Sequence, residues 1–177
     1  MLKIKTQFKG LYVILSKQYP DQRGYLREIS TKKLLNIEIK FNFYSVSKIN
    51  VLRGLHFQIK NQQTKLITVM QGKIIDCCLD LRKNSKTFGK VFKITLSEKN
   101  CKSLLIPKGF AHGFYSMGQK NVLLYSNSDI RNPLGEFGIK WNDKNLNIKW
   151  PNKKKIISKK DNNNMSFLDF KKNFKYL

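Results

Sequence analysis

The 177-residue chain is 41% hydrophobic, which is enough for one domain, 1-177, with a real core. Its net charge of +24 comes mainly from scattered lysines, which favours solvated surfaces over a nucleic-acid site. No apolar stretch of about 18 residues is present, and the first lysines lack a following apolar run, so neither a membrane span nor a secretory signal is expected.

Short β-type runs separated by turn residues recur along the chain. The first is 11–15, and 41–46 alternates as a half-buried strand does. The runs 64–70 and 73–81 flank Gln71-Gly72 and predict a hairpin. Further strands are predicted at 88–96, 103–106, 113–117 and 121–126. This spacing favours an all-β antiparallel sandwich or barrel with few helices, one of them at 30–35.

The end of the chain and the cysteines add two expectations. The basic stretch 152–160 is predicted to be an exposed connection, followed by a short tail to residue 177. Cys77, Cys78 and Cys101 are odd in number, and two are adjacent, which is a poor disulfide framework. Unpaired cysteines that pack as small hydrophobes favour a reducing, cytoplasmic location.

The chain has only two histidines, and each lies in an unusual motif, His56 within 51–58 and His112 within 106–114. Histidine can take up and return a proton near neutral pH. A single histidine is more often structural, but Arg53, Gln58 and Lys65 close to His56 favour a working site. Gly54 allows a bend or a close backbone approach, which could bring Arg53 and His56 to the opening of one cavity.

Six collinear motifs resemble the dTDP-4-dehydrorhamnose 3,5-epimerase family, whose members are nucleotide-sugar epimerases of cupin-like fold. They span nearly the whole chain and lie at 21–24, 53–58, 80–89, 106–114, 136–143 and 148–151.

The resemblance implies a cupin-type jelly roll in a homodimer that exchanges an N-terminal segment, about 1–50, with a C-terminal tail at about 152–177. It also implies inversion of carbons 3 and 5 of a nucleotide-linked 4-keto sugar, without metal or other cofactor, since a ketone acidifies the neighbouring C–H bonds.

The family's functional residues carry over one by one. His56 matches the base, Asp161 the carboxylate that orients it, Tyr125 the acid on the opposite face, and Lys65 the group that holds the enolate oxygen. Composition alone describes Asp161 as a surface carboxylate, and Tyr125 equally well as a core aromatic with its hydroxyl at the rim. The implied substrate-binding residues are Arg53 at the diphosphate, Arg23 and Glu28 on the exchanged segment, Gln58, and His112 as a residue that shapes the pocket.

The chain departs from the family where a substrate would be held. A glutamine and an asparagine are replaced by Phe41 and Phe43, paired aromatics by Ile130 and Arg131, and another aromatic by Leu26. Arg131 could add a phosphate contact or reach extra hydroxyls. A GDP-linked 4-keto heptose is therefore an alternative substrate, and drift within a dTDP-specific enzyme is the simpler explanation.

Three other functions stay open. An epimerase that acts at carbon 3 alone is a close variant of the 3,5-epimerase. A metal-dependent cupin enzyme would need more histidines at metal-ligand spacing than this chain has. A non-catalytic nucleotide-sugar-binding module would have no need for His56, Lys65 and Tyr125 together.

Overall fold

The computed structural model describes residues 1–174 of the chain. The strands are β1 (Leu2–Lys5), β2 (Tyr12–Leu15), β3 (Gln18–Asp21), β4 (Gly24–Arg27), β5 (Phe41–Lys48), β6 (Leu52–Gln58), β7 (Lys65–Gln71), β8 (Lys73–Asp80), β9 (Val91–Ser97), β10 (Lys102–Ile106), β11 (Phe110–Ser116), β12 (Lys120–Asn127) and β13 (Glu136–Gly138). The helices are α1 (Lys32–Leu35), α2 (Lys159–Asn162) and α3 (Phe167–Asn173), with a 3-10 turn at Pro133–Gly135.

Two antiparallel sheets form the body of the fold. The six-stranded sheet has the order β1-β2-β10-β7-β12-β5, and the five-stranded sheet has the order β13-β6-β11-β8-β9. Consecutive strands often lie in different sheets, which is the crossing pattern of a jelly roll. The all-β, cupin-type prediction is confirmed.

The core between the sheets is built by alternation along the strands. On β7 and β12, Ile67, Val69, Leu123 and Tyr125 point inward and pack against residues such as Phe114 of the other sheet. Alternate residues of a strand face opposite sides of the sheet, so the pattern that predicted the strands also selects their buried side.

The predicted hairpin of 64–70 and 73–81 is wrong in its pairing, although both strands exist. β7 pairs with β10 and β12, whereas β8 pairs with β9 and β11 in the other sheet. Gly72, at a φ of +88°, turns the chain from one sheet to the other. Its N–H donates to Glu98, and the next N–H donates to Asn121, so side chains anchor the turn in place of a hairpin ladder.

The C-terminal segment folds back onto the five-stranded sheet. Phe167 and Phe170 of α3 are buried in a second core with Leu55 and Phe57 of β6. Ile156 forms a parallel bridge with Val51, immediately before β6. The basic connection is exposed over most of its length, as predicted, but the tail that follows it is packed and brings α2 beside β6.

The N-terminal region has one part that pairs only with itself among the described strands. β1, β2 and β5 join the six-stranded sheet, while β3 and β4 form a separate two-stranded hairpin. Arg27 ties the base of this hairpin to the outer face of the sheet through Ser16, the Val69 carbonyl and Ser103. Within residues 1–174, no helix has the length and apolar character to cross a membrane.

Candidate functional site

A cavity of about 400 Å³ opens between β5 at the edge of one sheet and β6 and β13 at the edge of the other. The strand registers fix its two ends. Arg53 and Ser47 lie at one end, where the Arg53 guanidinium donates to the Ser47 hydroxyl. At the other end, Gln58 of β6 lies opposite Glu136 of β13 in the strand register, and Lys65 of β7 lies opposite Asn127 of β12. The cavity is lined by Phe41, Phe43, Ser45, Arg53, His56, Phe57, Gln58, Gln63, Lys65, His112, Gly113, Phe114, Tyr125, Arg131 and Glu136.

A bulge at Gly54 brings Arg53 and His56 to the same cavity. Between these two residues β6 advances three positions while its partner β11 advances only two, from Phe114 to His112. Gly54 has a φ of +109°, and a Cβ there would lie 2.6 Å from the Gly113 Cα. Only glycine suits this close approach, so the bend predicted from the sequence is present.

His56 pairs with Asp161, about a hundred residues further along the chain. The His56 Nε2 is 2.6 Å from the Asp161 Oδ1, and the Gly54 N–H donates to the other carboxylate oxygen at 3.1 Å. The carboxylate is 5% exposed, whereas the imidazole is 31% exposed toward the cavity. Burial alone would raise the pKa of Asp161, but the His56 contact and the Gly54 N–H outweigh it and hold that pKa below its ordinary value. A carboxylate that stays charged there fixes the tautomer and direction of the ring.

Tyr125 lies on β12 across the cavity from β6, and its ring is nearly buried. Burial raises the pKa of its phenol well above the ordinary value, which the nearby Ser45 hydroxyl only partly counteracts. The phenol therefore remains protonated at neutral pH and can serve as a proton donor.

Lys65 stands among charged groups at the far end of the cavity. Burial lowers the pKa of its ammonium group, and Glu136 acts in the opposite direction. The Glu136 carboxylate receives the Arg131 guanidinium at 2.9 Å and the Lys160 ammonium at 2.6 Å. Burial of Glu136 is more than offset by these two cations, which lower its pKa to about 2. Arg131 and Lys160 thus contact one carboxylate at this end, and Lys65 adds a third cation nearby, which favours an oxygen-rich ligand.

His112 lies directly opposite His56 in the register of β6 and β11, but it is 6% exposed. Its Nε2 is 2.8 Å from the Asp76 Oδ2, and Asp76 is fully buried on β8. The His112 ring meets Tyr125 edge-on, with centroids 6.2 Å apart. The buried His112–Asp76 pair therefore supports the wall of the cavity.

Of three further predicted substrate-binding residues, one lies at the rim of the cavity and two lie outside it. The Gln58 amide donates to the Asn61 carbonyl and accepts from the Asn132 N–H, so it links two loops at the cavity rim. Arg23 pairs with Asp21 on the β3–β4 hairpin and is 84% exposed. Glu28 follows β4 and is also exposed. Neither Arg23 nor Glu28 lines the cavity of its own chain.

Sequence reasoning missed Asp76, Ser45, Gln63, Glu136 and Lys160 as parts of the site or its support. Asp76 had a signal, because a carboxylate inside an otherwise apolar strand demands a partner. Glu136 lies in a motif that carried the resemblance, and Lys160 is adjacent to Asp161. Within residues 1–174, no group of three or more histidine, cysteine or acidic side chains is arranged to hold a metal ion.

Comparison with known proteins gives a consistent family. The family model described as dTDP-4-dehydrorhamnose 3,5-epimerase matches residues 5–169. A protein of that name from Methanothermobacter thermautotrophicus is 38% identical over 168 residues, covering 90% of this chain and 91% of that protein. Its namesake from Shigella flexneri is 35% identical over 173 residues, covering 94% and 96%.

Solved structures agree with the sequence matches. The crystal structure of dTDP-6-deoxy-D-glucose-3,5-epimerase from Legionella pneumophila, in complex with dTDP-4-keto-L-rhamnose, has a TM-score of 0.89 at 35% identity and covers 93% of this chain and 92% of its own. The Bacillus anthracis dTDP-4-dehydrorhamnose 3,5-epimerase, with TDP and PPi bound, has a TM-score of 0.88 at 37% identity, covering 93% and 98%. The chain belongs to the dTDP-4-dehydrorhamnose 3,5-epimerase family.

Proposed function

We propose that this protein is a cofactor-independent 3,5-epimerase of a nucleotide-diphospho-4-keto-6-deoxy sugar, of the dTDP-4-dehydrorhamnose type, in surface-polysaccharide sugar biosynthesis. The observation that carries the proposal is a carboxylate-bound imidazole, His56, in the same cavity as Lys65 and Tyr125. A base, an acid and a fixed cation around one cavity suit proton transfer next to a ketone.

In the proposed reaction, His56 takes the proton from the carbon beside the C4 ketone, and the C–H electron pair moves into an enolate. The Lys65 ammonium group stabilises the enolate oxygen. Tyr125 then gives its proton to the same carbon on the opposite face, and the electron pair returns to restore the ketone. Proton exchange with solvent then frees His56 and reprotonates Tyr125, and repetition at the second carbon completes the double inversion. The oxidation state does not change, so no redox cofactor is required.

Arg53 is proposed to contact the diphosphate. Its guanidinium lies at the cavity end opposite Lys65, held by the Ser47 hydroxyl and the Val46 carbonyl, and it remains exposed. A guanidinium fork matches the oxygens of phosphate groups. In this arrangement, the sugar lies between Arg53 and the Lys65 end, beside His56, with the diphosphate at one end of the cavity.

The direct test is incubation of the purified protein with dTDP-4-keto-6-deoxy-D-glucose in heavy water, followed by NMR. The expected result is deuterium at carbons 3 and 5 and inversion at both. Label at carbon 3 alone would support the single epimerase. Absence of label and inversion with every nucleotide-linked 4-keto sugar would contradict the proposed function and favour a binding module.

A GDP-linked 4-keto heptose is the second candidate substrate, because Phe41, Phe43 and Arg131 all line the cavity. These residues lie at or toward the Lys65 end, where a longer sugar chain would extend. Parallel titration with dTDP and GDP separates the two candidates. A lower Kd for dTDP would favour the hexose substrate, and a clear preference for GDP would favour the heptose.

A homodimer is the proposed assembly for this single-domain protein, 1-177. Large apolar side chains are exposed on the outer face of the six-stranded sheet and on the β3–β4 hairpin, where a monomer would leave them in water. They are Tyr44, Val46, Met70, Tyr19, Tyr25 and Leu26.

The segment proposed to be exchanged between the two protomers is then only the β3–β4 hairpin with its flanking residues, because β1, β2 and β5 pair within their own chain. Arg23 and Glu28 would reach the partner's cavity from there. Sedimentation should give a dimer, and Arg23→Ala should raise KM more than it lowers kcat. A monomer that is fully active would contradict the exchange.

A cytoplasmic location is part of the same proposal. It is supported by the three cysteines, all of them buried and unpaired.

A further inference from the structure

Three aromatic rings form a tier along one wall of the cavity. Phe43 of β5 lies directly opposite Tyr125 of β12 in the strand register. The two rings are stacked, with centroids 4.4 Å apart and planes 8° apart. The Phe41 ring is a neighbour of Phe43, with centroids 5.6 Å apart and planes tilted by 35°. Phe43 is thus the ring that touches Tyr125, and Phe41 is the ring that does not.

The orientation of the Tyr125 phenol depends on its ring neighbours. The Ser45 hydroxyl is close enough to favour ionisation of the phenol, yet its oxygen is buried and reaches no partner in hydrogen-bonding geometry among residues 1–174. On the other side, His112 meets Tyr125 only by its edge. Phe43 therefore supplies the stacked ring contact that holds the plane of the phenol.

We propose that Phe43 is a positioning residue that acts through Tyr125 and thereby sets how often the enolate is protonated on the face opposite His56. This inference rests on the proposed function. Phe43 is 39% exposed, so it contributes little to the core, and its stacking contact is its main structural role. Offset or parallel aromatic pairs stabilise one relative orientation of two rings.

The proton balance provides a readout that separates positioning from general damage. In heavy water, the proton that His56 removes exchanges with solvent. If His56 returns a deuteron to the same face, the starting sugar is recovered with label and without inversion. If Tyr125 delivers a deuteron to the other face, the product carries label and is inverted. The ratio of labelled starting sugar to inverted product therefore reports how well Tyr125 competes for the enolate.

The experiment compares Phe43→Leu with Phe41→Leu in heavy water, using dTDP-4-keto-6-deoxy-D-glucose and early time points. Both changes remove one ring from the same wall, but only the first removes the stack on Tyr125. For Phe43→Leu the ratio should rise about threefold to tenfold, the range that one aromatic pair contributes. For Phe41→Leu it should stay at the wild-type value, and Phe43→Tyr should restore it.

An unchanged ratio in Phe43→Leu, with label and inversion falling together, would overturn the positioning role. An equal rise in both leucine variants would also overturn it, because the effect would then belong to the apolar wall as a whole. Failure of the proposed function looks different, since the wild type itself would then show neither label nor inversion.

Discussion

The two histidine–carboxylate pairs of this fold are alike in contact and opposite in setting. His56 is 2.6 Å from Asp161, and His112 is 2.8 Å from Asp76. The His56 side chain is 31% exposed, whereas that of His112 is 6% exposed. The two residues are even cross-strand neighbours. A histidine must reach both its carboxylate and a ligand to transfer protons, so solvent access distinguishes a working pair from a supporting one.

The largest expected effect is on turnover, and it falls on the cavity-facing pair. His56→Asn should lower kcat about 10³-fold, since a positioned general base contributes on the order of 10²–10⁴. Its thermal midpoint should fall less than that of the matched His112→Asn variant, because Asp161 keeps the hydrogen bond from the Gly54 N–H and part of the replaced ring already faces the cavity. Turnover assays and thermal unfolding check both statements. A loss of stability equal to that of the matched His112 variant would contradict the distinction between a working pair and a supporting pair.

The second effect falls on stability and on the buried pair. His112→Asn should leave the Asp76 carboxylate without its ring partner away from water, at a cost of about 3 kcal/mol in the free energy of unfolding. Denaturant titration measures this cost. Turnover per folded molecule should fall less than in His56→Asn. A stable variant with lost turnover would indicate that His112 takes part in proton transfer.

Asp161→Asn tests how the working pair is oriented. An amide in place of the carboxylate can donate to His56 and favour the wrong tautomer, as well as weaken the support for a charged imidazolium. We expect kcat to fall on the order of 10²-fold, the lower end of what general acid–base catalysis contributes, with a smaller change in KM. Steady-state kinetics measure the two constants. Lys159→Ser, on the exposed face of the same helix, is a control that should change neither constant.

The smallest effect is a dependence of stability on acid. The pKa of Asp161 is lower in the folded protein than its ordinary value of 3.8. The unfolded state therefore takes up the proton first, and the contribution of this group to stability is complete above that value and disappears as pH falls through the folded pKa. The stability advantage of the wild type over Asp161→Asn should shrink below about pH 4. A constant difference in thermal midpoint down to about pH 2.5 would contradict this.

Local patterns predicted what local physics controls. The alternation in 41–46 gave β5, and the glycine before Leu55 gave the bend that joins Arg53 to His56 in one cavity. The hairpin at Gly72 was wrong because a glycine turn suits a crossing between sheets as well as a hairpin, and only the partners of each strand decide between them.

Residue spacing and composition could not predict contacts between residues far apart in the chain. Asp161 reaches His56 because the tail returns along Val51 and buries two phenylalanines of α3. Nothing in a basic, polar segment signals that return, so the family resemblance alone suggested the pair. The stack of Phe43 on Tyr125 likewise follows from a strand pairing that neither segment reveals by itself.

The most direct measurement is deuterium wash-in at carbon 3 of the bound 4-keto sugar, followed by NMR at saturating substrate for the wild type, His56→Asn and His112→Asn. If His56 removes the proton, the wild type and the His112 variant will incorporate label, and the His56 variant will incorporate almost none. Label entering at the wild-type rate in His56→Asn would show that another group breaks the C–H bond.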